Sequence, residues 1–102
     1  MTAAPAVRRT RRALVVMVGT PRTGDQSARV LTESLGELGV EATYVGHHES
    51  AASIAAKVAE ERADAVELCM CGSAGVPLLR DLLRQLLEIG RRDVSIVVHR
   101  VD

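Results

Sequence analysis

The run Ala13-Leu14-Val15-Val16-Met17-Val18 constrains this chain more than any other feature. Six consecutive apolar residues, half of them β-branched, leave no polar face. A strand of that kind has to be covered on both sides, as interior strands of a parallel sheet are. Such a sheet needs helices on each face, and the rest of the sequence supplies them in alternation. After a loop from Gly19 to Gly24, Asp25 is a candidate cap for a helix running to about Leu38. Ala28, Leu31, Leu35 and Leu38 recur along it at helical spacing, and Gly39 stops it. Residues 41–45 read as a second strand and 46–49 as a loop, with Ser50 capping a helix from Ala51 to about Arg62. Ile54, Ala55, Val58 and Ala59 share one face of that helix. Residues 64–70 make a third strand, followed by the small-residue loop 71–75. Pro77 suits the first turn of a third helix ending near Ile89, and residues 94–98 are a fourth strand.

The order βαβαβαβ predicts a flavodoxin-like, doubly wound parallel sheet of four strands, order 2-1-3-4, in a three-layer αβα arrangement. Ligands of such sheets sit beyond the carboxyl ends of the strands, at the switch point between the first and third. The candidate site is therefore made by 19–25, 71–75 and the end of the fourth strand.

A chain of 102 residues fits one domain. Apolar residues make up 47%, but Tyr44 is the sole aromatic, so the core must be aliphatic. The net charge of zero argues against non-specific binding to nucleic acid or membrane, and no apolar run is long enough to span a bilayer. Residues 1–12, with Arg8, Arg9, Arg11 and Arg12, read as a flexible basic arm, and 13–102 as the domain. The apolar stretch after the arginines continues into the domain and lacks the form of a secretory signal, so a cytoplasmic location is expected. Cys69 and Cys71 lie too close in a strand to bridge, and a metal site would need more ligands nearby. Both are expected to be small buried apolar side chains.

The third helix carries two leucine ridges: Leu78, Leu82 and Leu86, then Leu79, Leu83 and Leu87. Together they cover about half the circumference, more than the stripe of about 100° that a sheet contact needs. The excess is either a wide core contact or a surface for a protein partner or a second copy.

Several strings have a familiar order. Ala28-Arg29-Val30 leads the first helix, Tyr44-Val45-Gly46 precedes His48-Glu49-Ser50, and Ala63-Asp64-Ala65-Val66 opens the third strand. From about Arg12 to Asp102 the chain resembles the cobalamin-binding domain of methylmalonyl-CoA mutase and its small-subunit relatives. The family's first loop has the form Asp-x-His-x-x-Gly, whose histidine is the lower cobalt ligand and whose aspartate orients it. Here Arg22, Gly24 and Ser27 stand in the places of Asp, His and Gly. The family's Ser-x-Leu at the end of the third strand is matched by Cys69-Met70-Cys71, and its Gly-Gly after the fourth by His99-Arg100. The family continues with a further strand and helix beyond this sequence.

Glycine cannot ligate cobalt, and arginine cannot accept a bond from an imidazole N–H. His99 and Arg100 should narrow a slot that small residues keep open, as should Arg22 and Met70 if they turn into it. The resemblance therefore implies a cobalamin-domain fold and a cofactor region around Thr20, Arg22, Gly24, Asp25, Ser27, Cys69, Cys71, Gly72, Ser73 and His99. It does not imply the family's ligand chemistry, and no bound cofactor is expected.

The leading functional expectation is a non-catalytic partner or regulatory subunit of a mutase-like system. The alternatives are a cobalamin carrier for an acyl-CoA mutase or methyltransferase, with the cofactor's own base on cobalt, and a small-anion or nucleotide site at the strand ends. The anion reading rests on Gly19-Thr20-Pro21-Arg22-Thr23-Gly24, which is neither a P-loop nor a GxGxxG. No catalytic constellation can be placed, so any enzymatic role would need a partner chain to hold the substrate.

Overall fold

The computed structural model describes residues 11–18, 21–47, 50–70 and 75–100, with only the backbone described for 21–24 and 75. The elements are β1 (Arg12–Val18), α1 (Pro21–Glu37), β2 (Glu41–His47), α2 (Ala51–Glu61), β3 (Ala65–Met70), α3 (Gly75–Glu88) and β4 (Ser95–Arg100). The four strands are parallel in the order β2-β1-β3-β4, as expected. Both interior strands are buried along almost their whole length, which is what the apolar runs of β1 and β3 demand.

Alternation sorts the core into two layers. Leu14, Val16, Val18, Val66, Leu68 and Met70 face α2 and α3, where Ala51, Ile54, Ala55, Val58, Leu82 and Leu86 meet them. Val15, Met17 and Cys69 face α1 and pack on Ala28, with Leu31, Leu35 and Tyr44 at the border. The three-layer arrangement thus has two helices on one face of the sheet and one on the other.

Four boundaries differ from expectation. Arg12, expected in the basic arm, belongs to β1. Its backbone N–H donates to Asp64 Oδ2 at 2.8 Å and its guanidinium to the Glu61 carbonyl at 3.2 Å. Residues 1–10 lie outside the described chain. α1 starts at Pro21, which brings Arg22 and Gly24 into its first turn and leaves Asp25 inside the helix rather than capping it. Proline at the first helical position gives up only an N–H that has no intrahelical partner, and its φ is preset for the helix. β2 runs on through Gly46 and His47. β4 lies slightly later than expected, and its sides are largely open.

The cap of α2 is as expected: Ser50 Oγ accepts from the Ser53 N–H at 3.2 Å. Arg91, after α3, donates to the Ala63 carbonyl at 2.6 Å and so ties the α3–β4 turn to the α2–β3 turn.

Two glycines give a paired prediction. Gly39 ends α1 with φ +88°, whereas Gly36 has helical backbone, and a Cβ at either meets nothing within 4 Å. Gly36→Ala should stabilise the domain by roughly 0.5–1 kcal/mol through a less flexible unfolded chain. Gly39→Ala should destabilise it by about 1–2 kcal/mol through the left-handed backbone alone. Urea unfolding followed by far-UV circular dichroism should show midpoints moving in opposite directions.

Candidate functional site

The loops at the carboxyl end of the sheet contribute few described residues. Thr20, Cys71, Gly72 and Ser73 lie outside the described residues, as does the side chain of Arg22. The structure places the remaining candidates in three separate settings.

Asp25 lies in a cluster that fastens α1 to β2. Tyr44 Oη donates to Asp25 Oδ1 at 2.5 Å, and Arg29 Nε donates to Asp25 Oδ2 at 2.9 Å. The same guanidinium lies 5.3 Å from the centre of the Tyr44 ring, a cation–π distance. Both carboxylate oxygens are therefore engaged. The Tyr44 hydroxyl, followed by Arg29, holds the Asp25 carboxyl below the usual carboxylate range. Burial and the bond to Asp25 push Tyr44 up to about 12, and the bond to Asp25 raises Arg29. Asp25 serves here as a latch, and sequence reasoning overlooked its two partners. The signal was available, since Asp25 and Arg29 are four apart on a helix and Tyr44 is the chain's sole aromatic.

This latch makes two pH predictions. The depressed Asp25 contributes stability that is present above the ordinary carboxylate range and is lost as pH falls through its lowered folded value. The raised Tyr44 contributes stability that is full below 10.0 and is lost as pH rises towards about 12. Because no other tyrosine or tryptophan is present, alkaline absorbance titration reads Tyr44 alone. Its midpoint should lie near 12 in the native protein and fall towards 10.0, without reaching it, in Asp25→Asn. A native midpoint at 10.0 would exclude the latch.

Cys69 lies deeper, beneath α1. It is 1% exposed, and Val15, Met17 and Ala28 around it are fully buried. The space between the helix and this part of the sheet is filled by the chain's own side chains. Met70 was a candidate obstruction here, but it points to the opposite face, among Val66 and Leu68. Alternation along the strand requires this: if Cys69 faces α1, Met70 cannot. Ser27 is exposed on α1.

His99 stands opposite Cys69 in the β3–β4 register, and its ring reaches back to Glu67. Nε2 lies 2.7 Å from Glu67 Oε1. The bond takes its proton either from Nε2–H, with the carboxylate ionised, or from a protonated Glu67, with Nε2 accepting. Among the described residues, Glu67 is the buried residue with an ionisable acid, 8% exposed in the centre of β3. It was read from the sequence only as part of a strand. An acid inside a strand buried on both faces needs a partner, and that requirement was the missed clue.

Beside this pair lies an open groove of about 270 Å³ on the α1 side of the sheet. Leu35 and Val40 form its wall, Ala13, Ala65, Glu67, Ser95 and Val97 its floor, and Arg11 and Arg12 its lower end. α1 packs chiefly on β1 and β2 and less on β3, which leaves β4 largely uncovered on this side.

Cobalamin bound as in the resembled family would need a ligand side chain in the first turn of α1 and an open slot below it. Gly24 supplies no ligand, Asp25 is bonded through both oxygens, and Ala28, Met17 and Cys69 fill the slot. The described residues do not fit that mode of binding.

Among solved structures, the fold matches a cobalamin-binding protein from Desulfitobacterium hafniense DCB-2 with a TM-score of 0.69 at 20% identity. The match covers 89% of this chain and 45% of that one, so the chain spans less than half the length of its structural neighbour. At this identity the likeness defines the fold, a flavodoxin-like α/β domain shared with a cobalamin-binding protein. No protein-family model matches the sequence, and no curated protein does. Among the described residues no helix is long and apolar enough to cross a membrane.

Proposed function

We propose that this chain is a cobalamin-binding-domain-like subunit that does not ligate cobalt through its own side chains and acts as a non-catalytic partner or regulatory protein of a mutase-like system. The observation that carries the reading is the filled space under α1. Val15, Met17, Ala28 and Cys69 pack there, and His99 closes on Glu67 across the adjoining floor. The motif differences at Arg22, Gly24 and Ser27 point the same way. The mutase connection rests on the sequence resemblance.

The test is to mix purified protein with hydroxocobalamin or adenosylcobalamin, desalt it, and record the visible spectrum. This reading expects no retained cobalamin absorbance. Stoichiometric retention would overturn it in favour of a carrier. A base-on spectrum unchanged by replacing His47, His48 and His99 would then assign cobalt ligation to the cofactor's own base. That second reading is kept because the structural neighbour is itself a cobalamin-binding protein.

A further inference from the structure

α1 is held unequally along its length. Its second half presses Leu31 and Leu35 against the sheet. The first two turns have less to hold them. Thr23 and Gly24 are poor helix formers, and the first turn carries no acidic residue to offset the helix dipole. Gln26 and Ser27 are exposed. Among the described side chains ahead of Ala28, Asp25 is the one that bonds to another element, through Tyr44 of β2. Arg29 completes the cluster by bonding the other oxygen of Asp25 and lying over the Tyr44 ring.

Beyond these turns the helix has a place to bend. Thr32 Oγ donates to the Ala28 carbonyl at 2.7 Å. A hydroxyl that bonds the carbonyl four residues back competes with the backbone N–H for it, and such bonds weaken and bend helices. Ala28, at this point, packs with Met17 and Cys69 near the carboxyl ends of β1 and β3. Cys69 beneath it is 1% exposed.

We infer that the first two turns of α1 are a lid, hinged at the Ala28–Thr32 bond and locked by Asp25 to Tyr44, whose release opens the buried surface around Cys69 without unfolding the domain. Segments with few buried apolar contacts open at the least cost. Among its described side chains the lid buries Ala28, a single methyl group, so apolar burial adds little to its hold. Asp25 is bonded through both oxygens, so one carboxylate controls the whole contact. Tyr44 stays in place when the lid lifts, because β2 is paired with β1 at Val15. The surface laid open is apolar and carries one thiol. It adjoins the carboxyl ends of the strands, where sheets of this kind take their ligands, so the lid governs access to that region. The lid belongs to the chain without cobalamin, and its test is independent of the function proposed above.

The test is the rate at which Cys69 reacts with dithionitrobenzoate, in the full chain carrying Cys71→Ser so that one thiol remains. At low urea the wild-type rate should depend only weakly on urea, since lifting a lid exposes far less surface than global unfolding. Asp25→Ala removes both bonds and should raise the rate about tenfold or more, although alanine is the better helix former. Tyr44→Phe keeps the ring and the Asp25–Arg29 pair, and it should raise the rate by a smaller factor. Far-UV circular dichroism of each variant should match the wild type. The inference is overturned if the urea slope of labelling equals that of global unfolding in every variant, because Cys69 is then reached only through the unfolded chain. It is also overturned if Asp25→Ala reacts no faster than the wild type. An unchanged thiol rate beside a Tyr44 titration near 12 would place the failure in the lid and not in the cluster.

Discussion

Leu82→Ala is expected to cost about 2–5 kcal/mol, the range for truncating a fully buried leucine. Leu82 is 0% exposed and packs in the layer between α2, α3 and the sheet. A domain of this size has a total stability of about 5–15 kcal/mol, so the variant loses a large share of it. The melting temperature should drop by about 10 °C or more. The informative control is the next residue. Leu83 is 49% exposed, and Leu83→Ala should change stability by about 1 kcal/mol or less. Denaturant titrations should show a displaced midpoint with an unchanged slope for Leu82→Ala. Equal losses at both positions would mean that α3 is rotated from the orientation described.

The second large effect is expected at His99. Removing its ring in His99→Ala takes away the partner of Glu67 and leaves a carboxyl group whose side chain is 10% exposed. A polar group abandoned in such a place costs about 1–3 kcal/mol. The double variant Glu67→Val, His99→Val removes donor and acceptor together. It should recover most of that loss or exceed the native stability, because apolar replacements avoid the desolvation of the pair. Equilibrium unfolding of the two variants, with Glu67→Val alone, completes the comparison. If His99→Ala is neutral while Glu67→Val is strongly destabilising, the carboxylate draws its support from elsewhere.

The frame of the fold was legible because the strongest signals are local. A run such as ALVVMV has one reasonable environment, and its repetition in β3, with helices between, leaves little choice of topology. The beginning of α1 was misread because Gly24 was weighed as a loop residue, although Pro21 supplied the same first-turn argument that was applied at Pro77. The openness of β4 could not be read from its composition. Ile96, Val97 and Val98 look like an interior strand, and only the three-dimensional order shows that nothing described lies beyond them.

The candidate site was less legible, for the same reason. Asp25, Cys69 and His99 were named as cofactor-region residues, and the partners that Asp25 and His99 take lie far off in sequence. Tyr44 is 19 residues from Asp25, and Glu67 is 32 from His99. Pairings of that range are set by strand register, which one sequence does not display.

The unequal burial of the strands has a consequence in time as well as in space. β1 and β3 are bonded on both edges and covered on both faces, whereas β4 is held along one edge and exposes Val97 and Val98. Local opening free energy follows such differences. Amide hydrogens of β1 and β3 should exchange only with global unfolding, and those of β4 much sooner. Each opening of β4 withdraws His99 from Glu67 and briefly admits water to the centre of the sheet.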